Sequence, residues 1–188
     1  MITIVSGLPR SGTSLMMQIL SAGGMEILTD NLRPPDVNNP KGYFEFERTK
    51  SLAKDNSWLE QAENKAVKVI AQLVKFLPTD HSYKCIVMDR NIDEILLSQS
   101  RMITALGGNQ STVTNEILKK TFMEQLSKVK HFLAANQQFN MYVVNYNELL
   151  SGREAAISRL NEALSLGLDV DEAASVIDDS LYRNRGGR

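Results

Sequence analysis

The sequence predicts an α/β fold. A central, mostly parallel sheet of about four or five strands lies between helices, giving three layers. Two observations predict it. Short apolar runs, often β-branched, alternate along the chain with segments of helical periodicity. The 188 residues, 43% of them hydrophobic, are enough to bury a real core in one compact domain, 1–188.

Ile2–Ser6 is a short apolar run closed by Gly7, the pattern of a buried strand. From Thr13 to Ala22, Leu15, Met16, Ile19 and Leu20 fall at helical spacing, and Gly23-Gly24 ends the helix. Glu26–Thr29 reads as a second, short strand. Asn31–Gly42 holds three prolines, three asparagines and a glycine, so it is a long loop, and such loops often carry function. Phe44 to about Asn64 reads as helical, with a break near Asp55-Asn56. Ala66–Ile70 is apolar and β-branched around Lys68, and Pro78 ends a short apolar turn. Tyr83–Asp89 is the clearest later strand. Ile92–Leu106 is an amphipathic helix with Asp93 and Glu94 in the first turn, where the helix dipole favours acids, and Gly107-Gly108 stops it. Thr114 to about Gln138 is a long helix with Leu118, Phe122, Leu126, Val129 and Leu133 on one stripe. Met141–Asn145 is a further strand. The helices Arg153–Leu166 and Glu172–Ile177 follow, the second behind Asp169 as N-cap.

Composition removes several function classes. Lys+Arg is 21 and Asp+Glu is 22, a formal net charge of -1, so a whole-domain basic footprint for nucleic acid is absent. One cysteine, Cys85, excludes an internal disulfide and a cysteine-based zinc cluster. His81 and His131 are too few for a histidine-rich metal site. No apolar run reaches the roughly 18–20 residues of a membrane span. The first residues enter a strand without a basic, signal-like start. The expectation is a soluble, cytoplasmic protein.

The sharpest local signal is Gly7-Leu8-Pro9-Arg10-Ser11-Gly12-Thr13-Ser14, between a strand and a helix. A glycine-rich turn lets backbone N–H groups converge on a phosphate, and the helix N-terminus adds unpaired donors. Arg10 can fork onto phosphate oxygens, and Thr13 and Ser14 bring hydroxyls. This makes the chain a P-loop type of α/β fold. The nucleotide-hydrolase pattern would place lysine at position 13, where Thr13 stands, so the usual cation on a transferring γ-phosphoryl is missing.

Pro9–Ser14 reads P-R-S-G-T-S and resembles the P-[KR]-S-G-T-[ST] segment of the sulfotransferase superfamily, in the arginine form of its bacterial and Golgi-type branches. The resemblance implies that Arg10, Ser11, Gly12, Thr13 and Ser14 bind the 5′-phosphosulfate of 3′-phosphoadenosine 5′-phosphosulfate. The family's second segment is an arginine after a later strand, with a serine eight residues on; together they bind the 3′-phosphate. Arg90 and Ser98 stand at that spacing, within M-D-R-N-I-D-E-I-L-L-S, and Ile92 replaces the family's proline. Arg90, at the carboxyl end of a parallel strand, faces the crevice where such sheets bind ligands. On the residues alone, Arg90 could equally pair with Asp89 or Asp93, and Ser98 could simply allow close helix packing. The resemblance runs from Met1 to about Met102. Beyond it, the tail L-Y-R-N-R is similar to the ends of related bacterial proteins, which implies that Arg183 or Arg185 folds over the anion; the alternative is a disordered basic end.

Sulfuryl transfer needs a base for the acceptor's proton. The histidine that cytosolic animal relatives use is absent from Lys68-Val69-Ile70, although the lysine is present; His81 is a weak substitute. Asn39–Glu45 is similar to the N-P-x-G-Y-x-E stretch of bacterial relatives, and Golgi-type relatives use a glutamate after the first helix. Glu45 is therefore the candidate base, with Glu47 second; both could instead be acids favoured at a helix start. Lys68 inside an apolar strand needs a partner, either the anionic donor or a nearby carboxylate. Glu45, Arg10 and Lys68 form the candidate catalytic set. No metal is required, because fixed cations can cover a sulfuryl group. The acceptor is a small molecule or glycan bearing a hydroxyl or amine, walled by the loop Asp30–Gly42. Two other readings stay open: a small-molecule kinase with Asp89 as magnesium ligand, and a non-catalytic nucleotide-binding or interaction domain.

Overall fold

The computed structural model describes residues 1–36, 39–105, 107 and 114–178. Among these residues four strands form one sheet: β1 (Ile2–Gly7), β2 (Ala66–Lys68), β3 (Tyr83–Asp89) and β4 (Phe139–Asn145). Their order is β2-β1-β3-β4, and every pairing is parallel. Helices α1 (Thr13–Ala22), α4 (Tyr146–Ser151), α5 (Arg153–Leu164) and α6 (Val170–Ser175) pack on one face. On the other lie α2 (Ile92–Ala105), α3 (Asn115–Ala135) and three short 3-10 segments.

Strand alternation builds both layers. Ile2 and Ile4 of β1 and Tyr83, Cys85 and Val87 of β3 face α3, whose stripe Phe122, Leu126, Val129 and Leu133 is buried as its spacing predicts. Val5, Ile86 and Met88 face the other way, onto Met16, Met17, Ile19 and Leu20 of α1 and Ile157 and Leu160 of α5. Each fully buried aliphatic side chain contributes about 1.5–3 kcal/mol relative to exposure, so these two sheets of contact hold the layers together. Cys85 lies inside one of them, and burial pushes its thiol up to about 12, which makes it inert.

Three segments differ from the sequence expectation. Glu26–Thr29 is not a strand: Ile27 makes one isolated parallel bridge to Ala66. Just beyond it, the Thr29 hydroxyl and Asp30 N–H both donate to the Glu45 carbonyl, which draws the chain off the sheet edge. Phe44–Asn64 is not a continuous helix but two 3-10 turns, Glu47–Ser51 and Ser57–Ala62, with the break at Asp55-Asn56 where expected. The buried Phe46, Thr49 and Leu52 recur every third residue, which is the 3-10 period. Helix α4 is additional. Asn145 caps it by accepting from the N–H groups of Asn147 and Glu148. Thr114 and Asp169 cap α3 and α6, the latter as predicted.

The topology sets the site. β1 continues to β2 on one side and, after it, the chain crosses to β3 on the other. The carboxyl ends of β1 and β3 therefore lie side by side at the switch point, in register at Gly7 and Met88.

Candidate active site

A cavity of about 560 Å³ opens at this edge. Its floor is the turn between β1 and α1. Gly7 meets β3 so closely that an added Cβ would stand 2.9 Å from the Met88 carbonyl oxygen. Gly12 takes φ +100°, and a Cβ there would stand 2.5 Å from the Tyr146 ring. Both positions therefore require glycine. No side chain caps α1, so its first-turn N–H groups, in the segment Gly12–Ser14 that lines the cavity, are donors for an anion. The Ser11 Oγ is buried beneath the turn without a hydrogen-bond partner, and the Ser11 side chain does not line the cavity.

Arg10 joins the two segments singled out in the sequence. Its backbone is left-handed, at φ 70°, which costs about 1–2 kcal/mol for a residue with a Cβ. Tertiary bonds hold it there. Arg90 Nη1 donates to the Arg10 carbonyl at 3.2 Å, and Arg10 Nε donates to Ser98 Oγ at 2.9 Å. Burial is the main influence lowering Arg10's affinity for its proton, and the cations of Arg90 and Arg33 push the same way. A guanidinium stays charged under such pressure, so the site concentrates positive potential.

Arg90 pairs with neither Asp89 nor Asp93. It is buried, and its Nε donates to Glu94 Oε2 at 2.9 Å, with the two side chains 7% and 3% exposed. Its guanidinium carbon lies 4.2 Å from the centroid of the Tyr146 ring. Asn147 Nδ2 donates to the other Glu94 oxygen at 3.2 Å. Asp93 and Asp89 instead take Lys119 and Lys130 of α3. Asp89 does not line the cavity.

The opposite wall carries the candidate base. Glu45 lies in the extended stretch before the first 3-10 turn and lines the cavity. Its Oε1 is 3.1 Å from Arg33 Nη1 and 3.7 Å from Lys68 Nζ. Glu47 points elsewhere, to Lys50 at 2.6 Å, and is the acid of that turn. Lys68, at the end of β2 and 10% exposed, donates to Ser14 Oγ at 3.1 Å and to the Tyr43 carbonyl at 2.9 Å. Burial pulls its ammonium down to about 8, against the pull of Glu45. Its partners are thus a hydroxyl, a carbonyl and a distant carboxylate. Tyr43 is anchored by donating to both Asp36 oxygens, at 2.8 and 2.9 Å; burial first, and that bond second, raise its phenol.

The remaining predicted residues sort cleanly. His81 sits at the amino end of β3, paired with Asp80 and stacked on Tyr83, away from the cavity. Arg183 and Arg185 lie outside the described residues. Sequence reasoning missed Arg33, Arg101 and Tyr146, all of which line the cavity. For Tyr146 a signal existed: Asn145, three residues before Glu148, is a helix start.

No group of three or more His, Cys, Asp or Glu among the described residues could hold a metal ion. No helix among them is long and apolar enough to cross a membrane. No curated protein matches the sequence significantly. A solved structure, the "Sulfotransferase Domain from the Curacin Biosynthetic Pathway", superposes with a TM-score of 0.51 over 100% of this chain and 78% of that one, at 14% identity. At that identity the likeness establishes the fold. The sulfotransferase domain family itself matches residues 2–185, nearly the whole chain. A chain so covered, on this parallel sheet, belongs to the sulfotransferase domain family and is a sulfotransferase.

Proposed function

We propose that this cavity moves a sulfuryl group from 3′-phosphoadenosine 5′-phosphosulfate to a hydroxyl or amine of a small-molecule or glycan acceptor. One observation carries the reading. The glycine turn and the Arg90–Ser98 segment, about eighty residues apart, are bonded to each other through Arg10, and Lys68, bonded to Ser14 at the start of α1, has Glu45 beside it. The residues present fit a nucleotide with two anionic groups: uncapped N–H donors of α1 on one side, Arg90 and Ser98 on the other, and Arg10 between them.

The donor supplies a sulfuryl group on a phosphate leaving group. The α1 N-terminus, Arg10 and Lys68 hold negative charge at the 5′ end, including the charge that grows on the leaving oxygen. Arg90 and Ser98 hold the 3′-phosphate. Glu45 takes the acceptor's proton. Arg90 and Arg10 are fixed in place by Glu94, Tyr146 and Ser98 before anything binds, so little reorganisation is needed.

Calorimetric titration with 3′-phosphoadenosine 5′-phosphate, beside ATP with magnesium, tests the reading. Tight, metal-independent binding of the first and little of the second is expected. The reverse would transfer the assignment to a kinase. A pH series adds a second check. An anion bound against Lys68 favours its protonated form, so nucleotide affinity falls as pH rises through about 8, and Lys68→Met flattens that limb. For folding the sign is opposite. The unfolded lysine keeps its proton up to about 10.5, so the cost of burying it is full below pH 8 and is relieved between 8 and 10.5.

A further inference from the structure

We infer that the acceptor carries an anionic group, a carboxylate, phosphate or sulfate, next to the hydroxyl or amine that is sulfated, and that Arg33 recognises it. The inference rests on the reading of Glu45 as base in a sulfuryl-transfer cavity, and adds the acceptor's charge to it.

The argument starts from a charge count beside Glu45. One carboxylate stands between two cations, Lys68 at 3.7 Å on the donor wall and Arg33 at 3.1 Å on the loop. One carboxylate facing both leaves that pair with a positive surplus at the cavity wall, since the neighbouring acid, Asp36, is turned onto the Tyr43 hydroxyl. Lys68 is committed to the donor side by its bonds to Ser14 and the Tyr43 carbonyl. Donor anions are covered there by the α1 N-terminus, Arg10 and Arg90, so Arg33 is not needed for them. Lys50, on the same rim, is already matched by Glu47 at 2.6 Å.

Arg33 is also built to receive something. Its guanidinium carbon lies 3.4 Å from the Tyr43 ring centroid, and the ring is fixed through its hydroxyl on Asp36. A stacked guanidinium has its fork set in advance, which lowers the entropy lost on binding an anion. Among the described residues only Nη1 makes a hydrogen bond, to Glu45, while the side chain lines the cavity at 44% exposure. An acceptor anion that takes up this fork lies beside Glu45, with its nucleophilic group in reach of the carboxylate. It also draws one cation away from the group that takes the proton. Acceptor binding and base release are thereby coupled, and a neutral acceptor lacks that coupling.

The test uses the full chain saturated with 3′-phosphoadenosine 5′-phosphate, titrated calorimetrically with inorganic phosphate. One further phosphate is expected to bind. Arg33→Gln should weaken it about tenfold, equivalent to about 1.4 kcal/mol, and Arg33→Lys, which keeps the charge but loses the stacked fork, should recover only part of the affinity. Nucleotide affinity should stay within about twofold in both variants, because the loop arginine does not serve the donor. Absence of a second phosphate overturns the inference. So does a phosphate indifferent to Arg33→Gln, which places the ion where the sulfuryl group would sit. Failure of the nucleotide to bind at all overturns the sulfotransfer reading of the cavity, and this inference with it. Normal nucleotide binding without an Arg33-dependent phosphate removes this inference alone.

Discussion

Glu45→Gln is expected to lower the transfer rate by about 10²–10⁴, the usual worth of a positioned general base, and to leave nucleotide affinity unchanged. The substitution keeps shape and removes the charge that faces Arg33 and Lys68. Glu45 is 26% exposed and its pairs are partly solvated, so the cost in stability should stay within about 1 kcal/mol. Rate with labelled donor and affinity by calorimetry are read on the same preparation. Full activity in this variant would remove Glu45 as base. Glu47 could not inherit the role, because it is paired with Lys50 and does not line the cavity. Lys68 could: an ammonium drawn down to about 8 is half neutral at that pH. Activity that survived Glu45→Gln, vanished in Lys68→Met and rose through pH 8 would assign the proton to the lysine.

The parts of this site that were legible in sequence are those whose geometry is local. A strand, a glycine-bounded turn and a helix occupy the consecutive residues 2–22, and the requirement for glycine at 7 and 12 is a backbone requirement. The second segment was legible for the same reason, since Arg90 ends a strand and Ser98 lies two turns along the next helix. That Arg10 Nε donates to Ser98 was not legible. The bond spans 88 positions and exists only because β1 and β3 are neighbours, which strand order decides. Arg33 was hidden similarly. Nothing in a proline-rich loop says which cation folds back onto a ring ten residues later.

The error over Phe44–Asn64 has its cause in period. Phe46, Thr49, Leu52 and again Ala71, Val74, Leu77 are buried at intervals of three, and over one or two turns that pattern is close to a helical stripe. Thr114 and Asp169 accept a first-turn N–H at the starts of α3 and α6, while Phe46 and Asn56 offer no such bond to the 3-10 turns; α1 and α5 form behind glycines without a side-chain cap, so capping alone does not separate the cases. Helix α4 fails in the other direction. Its six residues are too few for periodicity to register, and its Asn145 cap was the one available sign.

Arg90 is the residue whose loss should be felt most widely, and the structure changes how it must be tested. Arg90→Ala removes the cation proposed for the 3′-phosphate, but it also takes from Glu94, 3% exposed, the cation of its buried pair. Breaking a buried pair from one side costs about 3–5 kcal/mol, so the single variant should melt well below the wild type. Weak nucleotide binding in that protein would be ambiguous. Replacing both members, as Arg90→Met with Glu94→Leu, removes the stranded charge and should restore most of the stability. If Arg90 acts on the 3′-phosphate, the restored protein still fails to distinguish 3′-phosphoadenosine 5′-phosphate from adenosine 5′-phosphate. One charge-assisted contact is worth about 1.5–3 kcal/mol, so the wild-type preference should shrink by roughly 10- to 150-fold. A stable double variant that keeps the preference would reduce the Arg90–Glu94 pair to a brace for the Arg10 carbonyl and the Tyr146 ring. The 3′-phosphate would then have to be held by other cations of the cavity, and Arg101, one turn beyond Ser98, would be the first to replace.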